Sequence, residues 1–175
     1  KLVEMMHGEI KIHSRMGEGS TFTIRIPCRI ATVEDTQTKR AQVHPDGKPL
    51  VGKRILLAED NDLNAEIAIA LLEEEGLLVE RAADGVKCME MLEKAPAHYY
   101  ELILMDIQMP ILGGYDTTRE IRKMADAEKA AIPIIAMTAN AFAEDKQRAL
   151  EAGMNDHVAK PIDMNKLIPT LQKYI

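Results

Sequence analysis

From residue 53 to the end of the chain, short apolar segments alternate with amphipathic segments of helical length, and this alternation constrains the fold most. The apolar segments contain the sequences RILLA, LLVERA, LILMD, IPIIAMT and DHVA. Continuous apolar strands separated by helices indicate a parallel sheet covered on both faces. We therefore predict an α/β fold with a five-stranded parallel sheet. For the strand order we adopt 2-1-3-4-5, which is a common order among known doubly wound sheets and does not follow from the alternation itself.

The first helical segment of this region, DLNAEIAIALLEEEG, illustrates the pattern and ends at Gly76. It groups Leu63, Ile67, Ala70 and Leu71 on one face of a helix. The last helical segment, DMNKLIPTLQKYI, is predicted to be helical despite the proline within it.

Residues 1–52 are organised differently. The stretch KLVEMMHG has apolar residues at helical spacing, and EIKIHSR and TFTIRIP alternate on either side of the turn MGEGS. We predict a helix followed by a β-hairpin over residues 1–27. Residues 28–52 have no sustained period and are rich in Pro and Gly, which predicts a linker before a domain at 53–175. Lys1 lies within the predicted helix, so we expect the chain to be a piece of a longer protein.

The composition argues against several classes of function. The net charge is −6 and no long basic block is present, so we expect no nucleic-acid partner. No apolar run approaches the roughly 20 residues of a membrane span, so we expect no membrane contact from this piece. Cys28 and Cys88 lie in dissimilar surroundings and suit no zinc site. Two inert thiols favour a cytoplasmic location, which is compatible with a membrane-anchored parent protein.

Polar side chains follow four of the predicted strands at the point where each strand ends. Glu59 and Asp60 follow the first, Asp106 the third, Thr138 the fourth and Lys160 the fifth. Ligands of open α/β sheets bind in the crevice outside these strand ends, where the strand order reverses. In the order 2-1-3-4-5 this point lies between strands one and three, so the three acidic residues are predicted to converge there.

Three carboxylates in one crevice repel each other unless a cation joins them. Mg²⁺ fits such a site because it accepts one or two protein carboxylates, keeps several waters and leaves room for a phosphate. Lys160 adds a positive charge and Thr138 a hydroxyl donor, and both suit a phosphoryl group. We therefore predict a Mg²⁺ cofactor and assign Asp106 as the nucleophile that takes phosphate as an acyl phosphate.

Residues 53–175 resemble a response-regulator receiver domain, which has a flavodoxin-like fold. The resemblance rests on LLAEDND, on ILMDIQMP followed by GG, on AMTANA and on DHVAKPID, in this order. It implies that Asp60 and Asp106 bind Mg²⁺ through their side chains and Gln108 through its backbone carbonyl, with Glu59 acting partly through water.

The resemblance also implies the course of the reaction. Asp106 accepts phosphate from a phosphohistidine of a histidine kinase, while Lys160 and Thr138 contact the phosphoryl oxygens. The phosphate then passes to the histidine of a phosphotransfer protein or to water.

Further positions carry roles by the same resemblance. Thr138 is a switch residue together with position 157, where the family usually has Tyr or Phe and this chain has His157. Gln108 and Asn140 tune the lifetime of the acyl phosphate. Pro161 is a structural position by the same resemblance, since its preceding bond is typically cis in the family. Independently of the resemblance, Gly114 is assigned a structural role with Gly113, in the geometry of the loop before the third helix.

Residues 1–27 resemble the C-terminal end of a histidine kinase ATP-binding domain, on the helix, the hairpin and the motif GEGSTF. Kinase tail, linker and receiver in this order imply a hybrid histidine kinase as the parent. The nucleotide-binding motifs and the phosphorylated histidine would lie upstream, so we expect this piece to bind no ATP and to act as a phosphoacceptor.

Other interpretations of the same residues remain. Glu59 and Asp60 could cap the following helix. A Mg²⁺-dependent phosphatase would share the aspartyl-phosphate chemistry, but the sequence Asp106-Ile107-Gln108 lacks the acid two residues on that the best-known such enzymes use. A degenerate receiver would act only as a protein-interaction module, but the acids and the lysine that it would lack are present.

Overall fold

The computed structural model describes residues 3, 7–17, 19–27, 50–139 and 143–175. The chain divides into two compact units, residues 1–45 and residues 46–175, which are described separately below. Most of the predicted first helix, residues 28–49 of the predicted linker, and Asn140 lie outside the described residues.

The first unit contains the predicted hairpin. Strand β1 (Glu9–Arg15) pairs antiparallel with strand β2 (Gly19–Arg25). The register places Ile10 opposite Ile24 and Ile12 opposite Phe22. These four apolar side chains lie on one side of the ribbon, as the alternation in the sequence predicts, and each is more than half exposed.

The second unit contains a five-stranded parallel sheet. The elements are β3 (Arg54–Ala58), α1 (Asp62–Glu74), β4 (Leu78–Ala82), α2 (Gly85–Lys94), β5 (Leu102–Asp106), α3 (Gly114–Ile121), α4 (Ala127–Ala130), β6 (Ile134–Thr138), α5 (Ala143–Ala152), β7 (Asp156–Ala159) and α6 (Met164–Tyr174). The strand order β4-β3-β5-β6-β7 is the predicted order 2-1-3-4-5. The predicted α/β fold is therefore confirmed, and only the single-turn helix α4 is absent from the prediction.

The central strand β5 contributes to both hydrophobic cores of this unit. Leu102 and Leu104 pack into a core that includes α1 and α6, whereas Ile103 and Met105 pack into one that includes α2 and α3. Successive side chains of a strand point to opposite faces of the sheet. The uninterrupted apolar run LILM is therefore the pattern of a strand buried on both faces, and Asp106 is the first polar residue beyond it.

Helix α1 packs against the sheet with a different face from the predicted one, which was defined by large apolar residues. Its buried residues are Ala65, Ala68 and Leu72, whereas Leu63 is 64% and Ile67 51% exposed. The buried residues keep helical spacing, and two of them are alanines, which let the helix lie close to the strands. In the described part of the chain, none of the helices combines the length and apolar character that a membrane span requires.

Candidate functional site

The acidic residues predicted to converge at the carboxyl edge of the sheet lie together. Glu59 follows β3 directly and Asp106 ends β5, and these strands are neighbours with Ala58 paired to Met105. Glu59 is only 2% and Asp106 6% exposed. One carboxylate oxygen from each of Glu59, Asp60 and Asp106 lies within 4.8 Å of the others. This cluster forms because parallel strands present all their carboxyl ends at one edge.

Lys160 brings a positive charge to the same cluster from the end of β7. Its Nζ donates to Oε2 of Glu59 at 2.5 Å and to Oδ2 of Asp106 at 2.7 Å. Its backbone N–H donates to the carbonyl of Thr138 at 2.7 Å, which ties the end of β7 to the end of β6. The Lys160–Pro161 bond is cis, as the resemblance implies.

Burial and pairing act in opposite directions on these charges. Burial raises the pKa of Asp106 above its ordinary value, and the charge of Glu59 adds to this effect, although bonds from Lys160 and the Gln108 backbone oppose it. For Lys160, burial alone would lower the pKa, but the hydrogen bonds to Asp106 and Glu59 outweigh burial and raise it. The ammonium group of Lys160 therefore lies between two acids, and its bond to Asp106 offsets part of the free-energy cost of burying a carboxylate there.

The second oxygen of Glu59 is fixed by the start of helix α1. Oε1 accepts from the backbone N–H of Asn61 at 3.3 Å and from Nδ2 of Asn64 at 3.2 Å. The N-cap of the helix is Asn61, whose side chain accepts from the N–H of Asn64. The alternative in which Glu59 or Asp60 caps the helix is therefore wrong, since an asparagine occupies that position.

The acids open onto a cavity of about 440 Å³. Thr138, which is 6% exposed at the end of β6, lines it together with Gln108. The remaining lining residues come from the loops beyond the strands and from α1, α3 and α5. They are Asn61, Asn64, Ile107, Tyr115, Ala139 and Arg148.

The loop after β5 is shaped around Asp106. The backbone N–H of Gln108 donates to Oδ1 of Asp106 at 3.2 Å, and the N–H of Gly114 donates to the carbonyl of Ile107 at 3.0 Å. A Cβ atom at Gly114 would lie 2.2 Å from the carbonyl oxygen of Asp106. Gly114 is therefore required for close backbone approach, as its predicted structural role implies.

His157 does not line this cavity. It lies on β7 opposite Ala136, and it lines a separate cavity of about 150 Å³ with Asp156 and Lys173. Its Nδ1 is 3.6 Å from Oδ1 of Asp156. The structure thus separates the predicted switch pair, with Thr138 at the acidic cavity and His157 outside it, and the switch stays a prediction.

Several cavity residues escaped the sequence analysis. Asn61 is the N-cap of α1 and Asn64 lies in its first turn, and their closeness in sequence to Glu59 and Asp60 was a usable signal. Tyr115 directly follows Gly114, a predicted structural position, and this closeness was a similar signal. Arg148 lies in the middle of α5, and no local pattern distinguishes it from other surface arginines.

The donor set fits a small, hard divalent cation. All the clustered ligand atoms are carboxylate oxygens, and the three acids outnumber the ammonium group of Lys160 that pairs with two of them. Hard cations such as Mg²⁺ prefer oxygen ligands and take one or two protein carboxylates directly, with waters completing the shell.

The parallel sheet with its acidic cavity at a topological switch point defines a doubly wound α/β domain with a candidate cation site at the carboxyl edge of its strands. A family model described as the response regulator receiver domain matches residues 55–172, and the chain belongs to this family.

Relatives are found among sensor kinases of bacteria. The chain is 39% identical over 168 residues to the autoinducer 2 sensor kinase/phosphatase LuxQ of Vibrio vulnificus. The matched region covers 95% of the chain and 19% of that protein. It is 36% identical to the aerobic respiration control sensor protein ArcB of Escherichia coli, covering 99% of the chain and 21% of that protein. The chain therefore spans about a fifth of the length of these curated relatives.

Two solved structures share the fold. The receiver domain of sensor histidine kinase PA1611 from Pseudomonas aeruginosa, with magnesium in its active site cleft, has a TM-score of 0.63 and 41% identity, covering 71% of this chain and 98% of that chain. A co-crystal structure from Saccharomyces cerevisiae holds the phosphotransfer protein Ypd1 and the receiver domain of Ssk1. It matches with a TM-score of 0.63 and 25% identity over 73% of this chain and 91% of that chain.

Proposed function

We propose that residues 53–175 are a Mg²⁺-dependent phosphoryl acceptor in a phosphorelay, with Asp106 as the residue that carries the phosphate. The observation that supports this most strongly is the buried Asp106 carboxylate, held 2.7 Å from the ammonium of Lys160 and beside two further acids. A buried charge of this kind is costly and is typical of functional sites.

Asp106 acts as the nucleophile in the proposed reaction. One of its carboxylate oxygens attacks the phosphorus of a phosphohistidine, a P–O bond forms, the P–N bond breaks, and the imidazole leaves with the electron pair of that bond. Lys160 lines the same cavity, and its ammonium group contacts the phosphoryl oxygens in the proposed transition state. The buried hydroxyl of Thr138 supplies a further contact to them. In the second step a nitrogen of a histidine or the oxygen of a water attacks the same phosphorus, the P–O bond to Asp106 breaks, and the Asp106 carboxylate leaves with the electron pair of that bond.

The residues that would hold Mg²⁺ are Asp60 and Asp106 through their side chains, Gln108 through its carbonyl, and Glu59 partly through water. When bound, Mg²⁺ neutralises charge on the phosphoryl oxygens and orients them. The chain's own part is to aim the carboxylates at the cavity. Lys160, Asn61 and Asn64 hold the carboxylate of Glu59 in place through hydrogen bonds.

The proposed partners are the phosphohistidine domain of a histidine kinase and a histidine phosphotransfer protein. The co-crystal of Ypd1 with the Ssk1 receiver supports the second partner, and the sensor-kinase relatives support the first. We also propose that residues 1–27 are the end of a kinase ATP-binding domain and that the parent is a hybrid kinase. The cytoplasmic location and the tuning roles of Gln108 and Asn140 stay predictions.

Labelling with radioactive acetyl phosphate and Mg²⁺ tests the proposal. The full chain is expected to take up about one phosphoryl group per molecule, and Asp106→Asn is expected to take up none. Glu120→Gln, which removes an exposed acid paired with Lys123, is the matched control and should label normally.

The other outcomes of this experiment contradict the proposal. Rapid multiple turnover of an external phosphomonoester would indicate a phosphatase. Folded protein without label would indicate a degenerate receiver that acts only as an interaction module.

A further inference from the structure

Arg81 connects the edge strand β4 to the loop that carries the acids. Its Nε donates to the backbone carbonyl of Glu59 at 3.0 Å, and its Nη2 donates to the carbonyl of Asp60 at 3.0 Å. Its Nη1 lies 2.8 Å from Oδ1 of Asp62, at the start of α1. One guanidinium group therefore holds two residues of the loop and the first residue of α1.

These bonds fix the backbone of the loop and leave its carboxylates available. The N–H of Glu59 donates to the carbonyl of Ala82 at 3.0 Å, so both backbone polar groups of Glu59 are bonded to consecutive residues of β4. Arg81 lies outside the residues that line the acidic cavity. It therefore contacts Glu59 and Asp60 from behind, through their carbonyl oxygens.

The planar guanidinium group is suited to this task. It presents its donors in a rigid fork, so two carbonyls that it holds are fixed relative to each other. A lysine at the same position would keep the charge but offer a single flexible ammonium group. A comparison of arginine with lysine at this position therefore separates the effect of the fork from the effect of the charge.

We propose that Arg81 is a positioning residue for the cation site: it holds the Glu59–Asp60 backbone in the conformation that directs both carboxylates to the cavity, and so strengthens Mg²⁺ binding. The proposal rests on the proposed function in that it takes Mg²⁺ as the ligand. Groups that orient metal ligands from outside the first shell typically contribute roughly 10- to 100-fold to metal affinity.

The charge of Arg81 would act in the opposite direction. A positive charge beside the site repels a divalent cation, so its removal alone would tighten Mg²⁺ binding. Orientation predicts that loss of the fork weakens binding, and charge predicts the reverse. The sign of the change in Kd therefore separates the two roles.

The test is Mg²⁺ titration of the full chain by isothermal calorimetry, without phosphorylation. Arg81→Met keeps the length of the side chain but removes its donors, and Arg81→Lys keeps the charge but removes the fork. We expect both variants to bind Mg²⁺ roughly tenfold or more weakly. An unchanged or tighter Kd in Arg81→Lys, or in a folded Arg81→Met, would overturn the proposal.

Two matched variants separate positioning from general stability. Asp62→Asn weakens only the exposed ion pair and leaves both carbonyl bonds, so its Kd should stay within about twofold of wild type. Arg54→Met removes a strand arginine that bonds to Glu80, and it should lower the melting temperature without changing the Kd. A weaker Kd in Arg54→Met equal to that in Arg81→Met would show that general destabilisation is responsible.

Amide hydrogen exchange of the metal-free chain provides a readout that does not depend on Mg²⁺. Exchange at Asp60 and Asn61 should be faster in Arg81→Lys than in wild type, and unchanged in Asp62→Asn. If wild type bound no Mg²⁺, the proposed function would fail, and unchanged exchange in Arg81→Lys would separately show that Arg81 does not hold the loop.

Discussion

At the scale of single residues, Gly114 shows how closely the backbone is packed behind the phosphoacceptor. A Cβ atom there would meet the carbonyl oxygen of Asp106 at 2.2 Å and Cα of Ile107 at 3.0 Å. Both obstacles are backbone atoms, which cannot rotate away as a side chain could. Helix α3 can therefore start directly behind Asp106 only with glycine at this position.

Gly114→Ala is therefore expected to destabilise the domain by about 2 kcal/mol or more, because the loop after β5 must shift. Gly113→Ala is the matched control. Its Cβ would meet only the carbonyl of Ile107, at 3.4 Å, so we expect a loss below about 1 kcal/mol. Urea unfolding of the two variants measures the difference, and equal losses would show that the backbone contact behind Asp106 is not limiting.

Glu80 is the second residue whose environment gives a clear expectation. Its carboxylate accepts from the hydroxyls of Tyr99 at 2.7 Å and Tyr100 at 2.6 Å, and Arg54 donates to it at 2.7 Å. The hydrogen bond from Tyr100 is the largest effect on the pKa of Glu80. Together with Tyr99 and Arg54 it lowers this pKa, although partial burial opposes the shift.

Because the pKa of Glu80 is lower in the folded state, its stabilising effect is present above the ordinary glutamate value and is lost as the pH falls through the folded value. Glu80→Gln should cost about 1 kcal/mol at pH 7, and the difference from wild type should shrink below about pH 4. Urea unfolding across this pH range measures the effect. Glu90→Gln, at an exposed site, should show a smaller loss, and a difference for Glu80→Gln that grows in acid would contradict the assigned network.

At the scale of elements, Arg122 joins three separate segments at the end of α3. Its Nε donates to the carbonyl of Gly153 at 2.9 Å, its Nη1 to that of Ala130 at 2.7 Å, and its Nη2 to Oδ1 of Asn155 at 3.0 Å. Gly153 and Ala130 lie at the ends of α5 and α4, so the guanidinium group supplies donors to carbonyls at helix ends. Burial lowers the pKa of Arg122, which remains a cation.

Arg122→Met should lower the free energy of unfolding by about 2 to 3 kcal/mol, because it leaves two helix-end carbonyls without their donor. Arg119→Met on the same helix is the control. Arg119 forms only an exposed ion pair with Asp116, so its loss should cost about 0.5 kcal/mol or less. Thermal or urea unfolding measures the loss of stability in each variant, and similar losses would contradict a joining role for Arg122.

At the scale of the whole molecule, cation binding should raise the free energy of unfolding. A ligand that binds only the folded state adds about 2.7 kcal/mol at one hundred times its Kd. Mg²⁺ at this concentration should raise the melting temperature by on the order of 5 to 10 °C. Asp60→Asn should lose most of this rise, whereas Glu120→Gln should keep it. An undiminished rise in Asp60→Asn would place the cation elsewhere.

The positions of the acids and of the sheet elements were predictable because the signals are local. Each buried strand is a continuous apolar run, and the first polar residue after it marks the carboxyl edge. Asp106 after LILM is the plainest case. The helix faces were less predictable, since Leu63 and Ile67 share a face that points away from the core. The rotation of α1 depends on how closely its alanines fit the strands, and the composition of the helix does not specify this.

The sequence by itself determined the α/β class and which acids, threonine and lysine end the strands, whereas the strand order was taken from known doubly wound sheets and was confirmed by the structure. The class and the strand-end residues follow from short-range periodicity and from the fact that parallel strands end at one edge. Only the tertiary structure decided that Lys160 bridges Glu59 and Asp106, that Arg81 holds the acidic loop, and that His157 lies outside the cavity. Such contacts join residues far apart in the chain, and they depend on side-chain reach and direction, which no local pattern records.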